Sequence, residues 1–182
     1  MEIRLSLLLL VLLLTSGVAL SASRPHAVRD PQSFDTKALI ELEDAAAVAR
    51  GNLDVARQLT TTYLRLGQPG LAIAAVRHAP PELARDPVLT HRLSQAYEAS
   101  GRVEDALNTA QLAFARCATP GASCNQATMA ALEVHLDALA TLQRWGVQDP
   151  RRDSRTGLAY QLAQRTARIA SLGLVPGNSA AE

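Results

Sequence analysis

The sequence predicts an all-α fold of stacked antiparallel helix hairpins with a capping helix at each end. Three observations predict it. Between Leu53 and Thr119 two segments match at a spacing of 34 residues: Leu59 with Leu93, Tyr63 with Tyr97, Gly67 with Gly101, Ala72 with Ala106, and Ala79 with Ala113. A fixed period of this length marks stacked helix–turn–helix units. Hydrophobic residues make up 48% of the 182 but aromatics only 3%, so the core must be built from Ala and Leu, both strong helix formers. Between the periodic apolar runs fall Gly and Pro clusters, at Gly51, Gly67–Gly70, Pro80–Pro81, Gly101 and Pro120–Gly121, where helices end.

The first 23 residues read as a separate element. Arg4 gives a weak positive start, offset by Glu2; Leu5 to Leu14 is almost wholly apolar; Thr15 to Ser23 is small and polar. That is the layout of a secretory signal peptide, with Ala19-Leu20-Ser21 or Ser21-Ala22-Ser23 as the cleavage sequence. The alternative is an uncleaved inner-membrane anchor, but a spanning helix needs about 20 apolar residues and Thr15 to Gly17 interrupt this run. No Cys follows it, which argues against a lipid-modified start. The expected compartment is therefore an exported one, the bacterial periplasm. Arg24 to Asp35, with two prolines and no periodicity, reads as a linker.

A first helix is expected from Thr36, capped by Asp35 or Thr36, with Leu39, Leu42, Ala45, Ala46 and Ala49 on one face and Glu41, Glu43 and Asp44 near the positive end of its dipole. Gly51-Asn52 stops it. The second helix covers Leu53 to Leu66, with Leu59 and Tyr63 one turn apart. The third runs from Gly70 to Ala79, where Pro80-Pro81 forbids continuation. The fourth covers Pro87 to Ser100, with Asp86 as cap and Pro87 suited to the first helical position. The fifth runs Val103 to Cys117, with Val103, Ala106, Leu107, Ala110 and Phe114 inward. Asn125 to Trp145 is one long helical pattern with Met129, Leu132, Leu136, Leu139 and Leu142 on one face. After a polar turn at Val147 to Ser154, Arg155 to Leu172 forms the last helix. Gly173 to Glu182 reads as a disordered tail.

Cys117 and Cys124 bracket a short Pro/Gly/Ser loop. An even cysteine count in an oxidising compartment suggests one disulfide, a staple between the end of one helix and the start of the next. Free thiols are the alternative. A redox or metal role lacks a C-x-x-C pair or a His at ligand spacing.

The repeat resembles the tetratricopeptide repeat, whose pattern is W-x2-L-G-x2-Y, then A-x3-F, then P. LTTTY (Leu59–Tyr63) and LSQAY (Leu93–Tyr97) carry its Leu–small–x–x–Tyr core. GQPGLA (Gly67–Ala72) and GRVEDA (Gly101–Ala106) carry the hairpin. Two copies, 53–86 and 87–120, show it. The Trp place holds Ala56 and Thr90, the Phe place Val76 and Ala110, and the closing Pro place Ala84 and Ala118. Asn125 to Trp145 would begin a degenerate third copy, and Asp35–Arg50 and Arg155–Leu172 would be caps, which short repeat arrays need. The resemblance implies a short right-handed solenoid over 36–172. Its first helices would line a concave face that holds a protein or peptide: Asp54, Arg57, Thr61, Leu64 and Arg65 from one copy, and Val88, His91, Gln95, Glu98 and Ala99 from the next. Arg57 and Arg65 together would suit a carboxylate such as a peptide C-terminus.

No sequence motif for catalysis, phosphate binding or metal binding is present, so no catalytic residue, cofactor or metal is expected. Glu133, His135 and Asp137 are two apart on a helix and do not converge, which puts His135 at the edge of a packed face. His91 and Glu98, seven apart, share a face. His78 is a loop-edge residue and His26 lies in the linker. The 18 basic and 17 acidic side chains leave a net charge of +1, without the basic excess of a nucleic-acid binder. The expected function is a non-catalytic adaptor or assembly factor. The alternatives are an enzyme or metal-binding protein with a site between helices, and a membrane-tethered structural component of an envelope complex.

Overall fold

A computed structural model describes residues 36–122 and 124–171. The expected signal segment (1–23), linker (24–35) and tail (173–182) lie outside the described residues. The described residues from Lys37 to Ser171 belong to one compact unit. Among the described residues there are eight helices and no strand: α1 (Thr36–Val48), α2 (Leu53–Arg65), α3 (Pro69–Arg77), α4 (Pro81–Ala84), α5 (Pro87–Ala99), α6 (Val103–Cys117), α7 (Gln126–Arg144) and α8 (Arg155–Ser171). The all-α helix-hairpin fold is as the sequence predicts.

Side-chain caps start the helices where the sequence places them. Asn52 accepts from the backbone N–H groups of Asp54 and Val55, Asp86 from that of Leu89, and Asn125 from that of Thr128. Each satisfies donors that a helix start leaves without an intrahelical partner. Pro80-Pro81 does end α3, but Pro81 then opens the single turn of α4, since a proline at the first helical position gives up no intrahelical hydrogen bond.

Three turns close the hairpins in one geometry. Gly67, Gly101 and Gly146 have φ of 68°, 79° and 66°. The next residue donates its N–H back across the turn: Gln68 to the Tyr63 carbonyl at 2.8 Å, Arg102 to that of Tyr97 at 2.9 Å, and Val147 to that of Leu142 at 3.0 Å. This is the Schellman motif, and its left-handed residue is where glycine costs least. The third occurrence shows that α7 and α8 form a hairpin in the same turn register as α2–α3 and α5–α6. Gly146 follows Gly101 by 45 residues, where Gly101 follows Gly67 by 34. The outer arms are longer: α6 has 15 residues where α3 has 9, and α7 has 19 where α5 has 13.

From α2 onward each helix touches the next, and α5 also lies on both α2 and α3. Alanines sit at the closest approaches: Ala72, Ala96, Ala106, Ala110, Ala138 and Ala159 are fully buried. Small residues there let backbones come together, and Leu89, Leu132, Leu139 and Leu142 fill the spaces beside them. Tyr63 and Tyr97, the matched pair, are both buried one turn before their glycine. The Tyr63 hydroxyl donates to Glu43 of α1 at 2.7 Å, and the Arg102 guanidinium lies 4.4 Å above the Tyr97 ring. The small-residue places hold satisfied hydroxyls: Thr60 donates to the Ala56 carbonyl and Ser94 to the Ala106 carbonyl. The stretch after α7 is not simply a polar turn, because Val147 is buried in the same core as Leu139 and Ala159. Trp145, at the end of α7, is half-buried against that core, and its carbonyl accepts from Arg155 at 3.0 Å.

Cys117 and Cys124 are joined, with their Cα atoms 5.4 Å apart. The bond ties the end of α6 to the approach of α7, beside Ala113, Leu132 and Met129. Closing so short a loop restricts the unfolded chain by about 2.5 kcal/mol. Reduction should lower the urea midpoint by that amount of free energy, read with and without reductant at one pH. An unchanged midpoint would show that the staple does not stabilise the fold.

Candidate functional site

The strongest polar constellation lies where α5, α7 and α8 meet. His91 and Glu98 are two turns apart on one face of α5, as their spacing requires. The His91 Nε2 lies 3.0 Å from His135 Nδ1 of α7. His135 Nε2 lies 3.0 Å from Glu98 Oε2, and the Tyr160 hydroxyl of α8 donates to the same oxygen at 2.7 Å. The carboxylate accepts, so His135 carries its proton on Nε2; its Nδ1 then accepts, and His91 donates from Nε2. Two imidazoles in series and the Tyr160 hydroxyl beside them thus lead to one carboxylate. The His91 and His135 rings are tilted at 45° with centroids 5.1 Å apart, and the Tyr160 ring stacks nearly parallel to that of His135, at 19° and 6.2 Å.

The surroundings are dry. His91 is 6% exposed and His135 4%, while the Glu98 side chain keeps 15%. Burial, then the neighbouring His135 and Arg92, pushes His91 down to about 3. Burial, then the Glu98 charge and hydrogen bond, pushes the Tyr160 hydroxyl well above the ordinary phenol range. The network is therefore four satisfied groups that hold three helices together. Among the described residues no group of three His, Cys, Asp or Glu side chains is placed to hold a metal. The facing nitrogens of His91 and His135 are spent on each other. A shallow recess of about 220 Å³ touches the network at Glu98 and is lined also by Gln95, Ala99, Pro150, Arg151 and Thr156.

The residues expected to line a concave face are dispersed by this arrangement. On α2, Asp54 and Arg65 are exposed, Thr61 is half-buried with its hydroxyl on the Arg57 carbonyl, and Leu64 packs against the Tyr63 cluster. The Arg57 guanidinium is engaged within the chain, bidentate on Asp86 at 2.6 and 3.1 Å. That hydrogen bond, opposed by burial and aided by the Asp86 charge, raises the Arg57 pKa. On α5, Val88, Gln95 and Ala99 are half-buried, with Gln95 accepting from Arg92. His91 and Glu98 face α7 and α8, so their side of α5 is covered by the chain's own C-terminal hairpin and not open to a ligand.

His135 does not lie at the edge of a packed face. It is a buried polar residue in the core stripe itself, between Leu132 and Leu139 at helical spacing. Glu133 and Asp137 are exposed on the opposite side of α7 and do not join it. His78 is exposed at the end of α3. Tyr160 was not among the expected site residues. The signal for His135 was present, because a histidine inside a Leu stripe needs a partner. A larger cleft, about 480 Å³, lies elsewhere, between α1 and the α2–α3 hairpin, with Ala46, Val55, Leu59 and Ala79 among its walls. Comparison of this chain with known protein families, with curated proteins and with solved structures finds no match.

Proposed function

We propose that the chain is an exported, tetratricopeptide-like scaffold that holds a protein or peptide partner and performs no catalysis of its own. The observation that carries this reading is the recurrence of one hairpin turn at Gly67, Gly101 and Gly146, with the Leu–small–x–x–Tyr core repeated ahead of the first two. Stacked hairpins of this kind make extended surfaces from adjacent first helices. With the His91–Glu98 side of α5 covered by α7 and α8, the contact surface centres on α2, where Asp54, Thr61, Leu64 and Arg65 lie along one side. A photo-crosslinking residue at Thr61 should capture one discrete partner in the native compartment, and Arg65→Glu should reduce that capture at least tenfold without changing the helical content. No adduct at Thr61, or one indifferent to Arg65→Glu, would reject the scaffold reading.

A second reading, an enzyme site between helices, draws on the convergence of His91, His135, Glu98 and Tyr160. The burial of both imidazoles and the use of their facing nitrogens argue for a structural role. A tethered component of an envelope complex differs from a free scaffold in its mature N-terminus, which N-terminal sequencing reads directly.

A further inference from the structure

The two end helices expose apolar stripes of opposite charge. On α1, which buries no residue completely, Ile40, Ala47 and Val48 are exposed, Val48 to 89%. Glu41 and Asp44 are exposed among them. The one base on α1, Lys37, lies 3.8 Å from Glu41. On α8, Leu158, Leu162 and Ile169 are each 40–49% exposed, one above the other at helical spacing, with Arg165 and Arg168 exposed beside them. That helix carries no acidic residue. Asp44, Arg165 and Arg168 make no ion pair among the described residues. Arrays of stacked helices need polar outer faces at their ends to stay apart. Here each end presents what the other lacks.

We infer that α1 of one copy docks on α8 of the next, a head-to-tail contact between copies of this chain. Val48 and Ile40 lie against Leu158, Leu162 and Ile169, and Asp44 and Glu41 face Arg165 and Arg168. Such a contact uses a different patch on each partner, so it extends into an open row or a ring and does not stop at a two-fold dimer. One helix laid on one helix buries less than the roughly 1,200 Å² of the smaller stable interfaces, so association is in the micromolar range and weakens with salt. The inference is independent of what the α2 face binds.

Two variants test it. Ile40→Glu with Val48→Glu blocks the head, and Leu158→Glu with Leu162→Glu blocks the tail; all four positions are solvent-exposed, and circular dichroism checks that both variants fold. In sedimentation velocity the purified full chain should grow with concentration and shrink as salt rises. Each variant alone should be monomeric, and an equimolar mixture should give a 1:1 heterodimer through its one intact pair of faces. A wild-type chain that stays monomeric at about 200 μM overturns the proposal, since that concentration exceeds micromolar dissociation constants. So does a head variant that still self-associates, which would indicate a tail-to-tail contact or another segment. So does a mixture that stays monomeric.

Discussion

Replacing Glu98 with Ala should lower the unfolding free energy by about 3 kcal/mol and the melting temperature by roughly 10 °C. The carboxylate is the one acceptor for both His135 Nε2–H and the Tyr160 hydroxyl. Its removal leaves two donors inside the junction of α5, α7 and α8. Breaking a buried pair by deleting one partner costs about 3–5 kcal/mol. The lower end applies because the side chain keeps 15% exposure, so water can reach the vacated place through the recess beside Gln95 and Arg151. Glu98→Gln keeps an oxygen acceptor and should cost clearly less. Tyr160→Phe, which removes a donor and leaves His135 bonded, should cost less again. Thermal and urea unfolding followed by circular dichroism separates the three. Equal losses for Ala and Gln would show that the carboxylate packs there without anchoring the donors.

Acid should destabilise the fold through His91. The folded value is depressed to about 3, against about 6.5 for an unperturbed imidazole. Between those values the unfolded chain binds a proton that the folded chain refuses, so unfolding is favoured as pH falls. The contribution is complete above pH 6.5 and declines by about 1.4 kcal/mol for each unit below it, until His91 itself protonates in the folded state. The geometry gives the cause. A proton on His91 would place a charge in an apolar junction beside Arg92 and against the ring of His135. His91→Gln removes the titrating group and should flatten the fall of the urea midpoint between pH 6.5 and pH 4.5 by about one proton's worth of slope. A variant with the same slope as the wild-type chain would place the acid sensitivity elsewhere.

Local chemistry made much of the fold legible. Asp86 announces a helix start because its side chain suits the cap, and Gly67 and Gly101 announce turns because the spacing repeats; Asn52, read as part of a helix stop, caps the next helix instead. The predicted helix ends differ from the observed ones by a few residues, the usual scatter where terminal turns fray. The third hairpin was harder to read as a repeat. Its turn at Gly146 has the same hydrogen bonds, but longer α6 and α7 arms break the period, and Leu142 stands where Tyr63 and Tyr97 stand. The polar network was legible only in part. The shared face of His91 and Glu98 follows from α5 alone, whereas their meeting with His135 and Tyr160 depends on how the last hairpin lies against α5. Arg57 shows the same limit. Its partner Asp86 is 29 residues away and reads locally only as a cap.

The scarcity of aromatic residues has an optical consequence. Trp145 is the chain's one tryptophan, and it sits where α7 ends, with its backbone tied to Arg155 at the head of α8. Its emission therefore reports on the seam between α7 and α8, while the far-ultraviolet signal averages over every helix of the chain. Detachment of α8 ahead of the rest would register as a change in fluorescence at nearly constant helicity, with no label added to the protein.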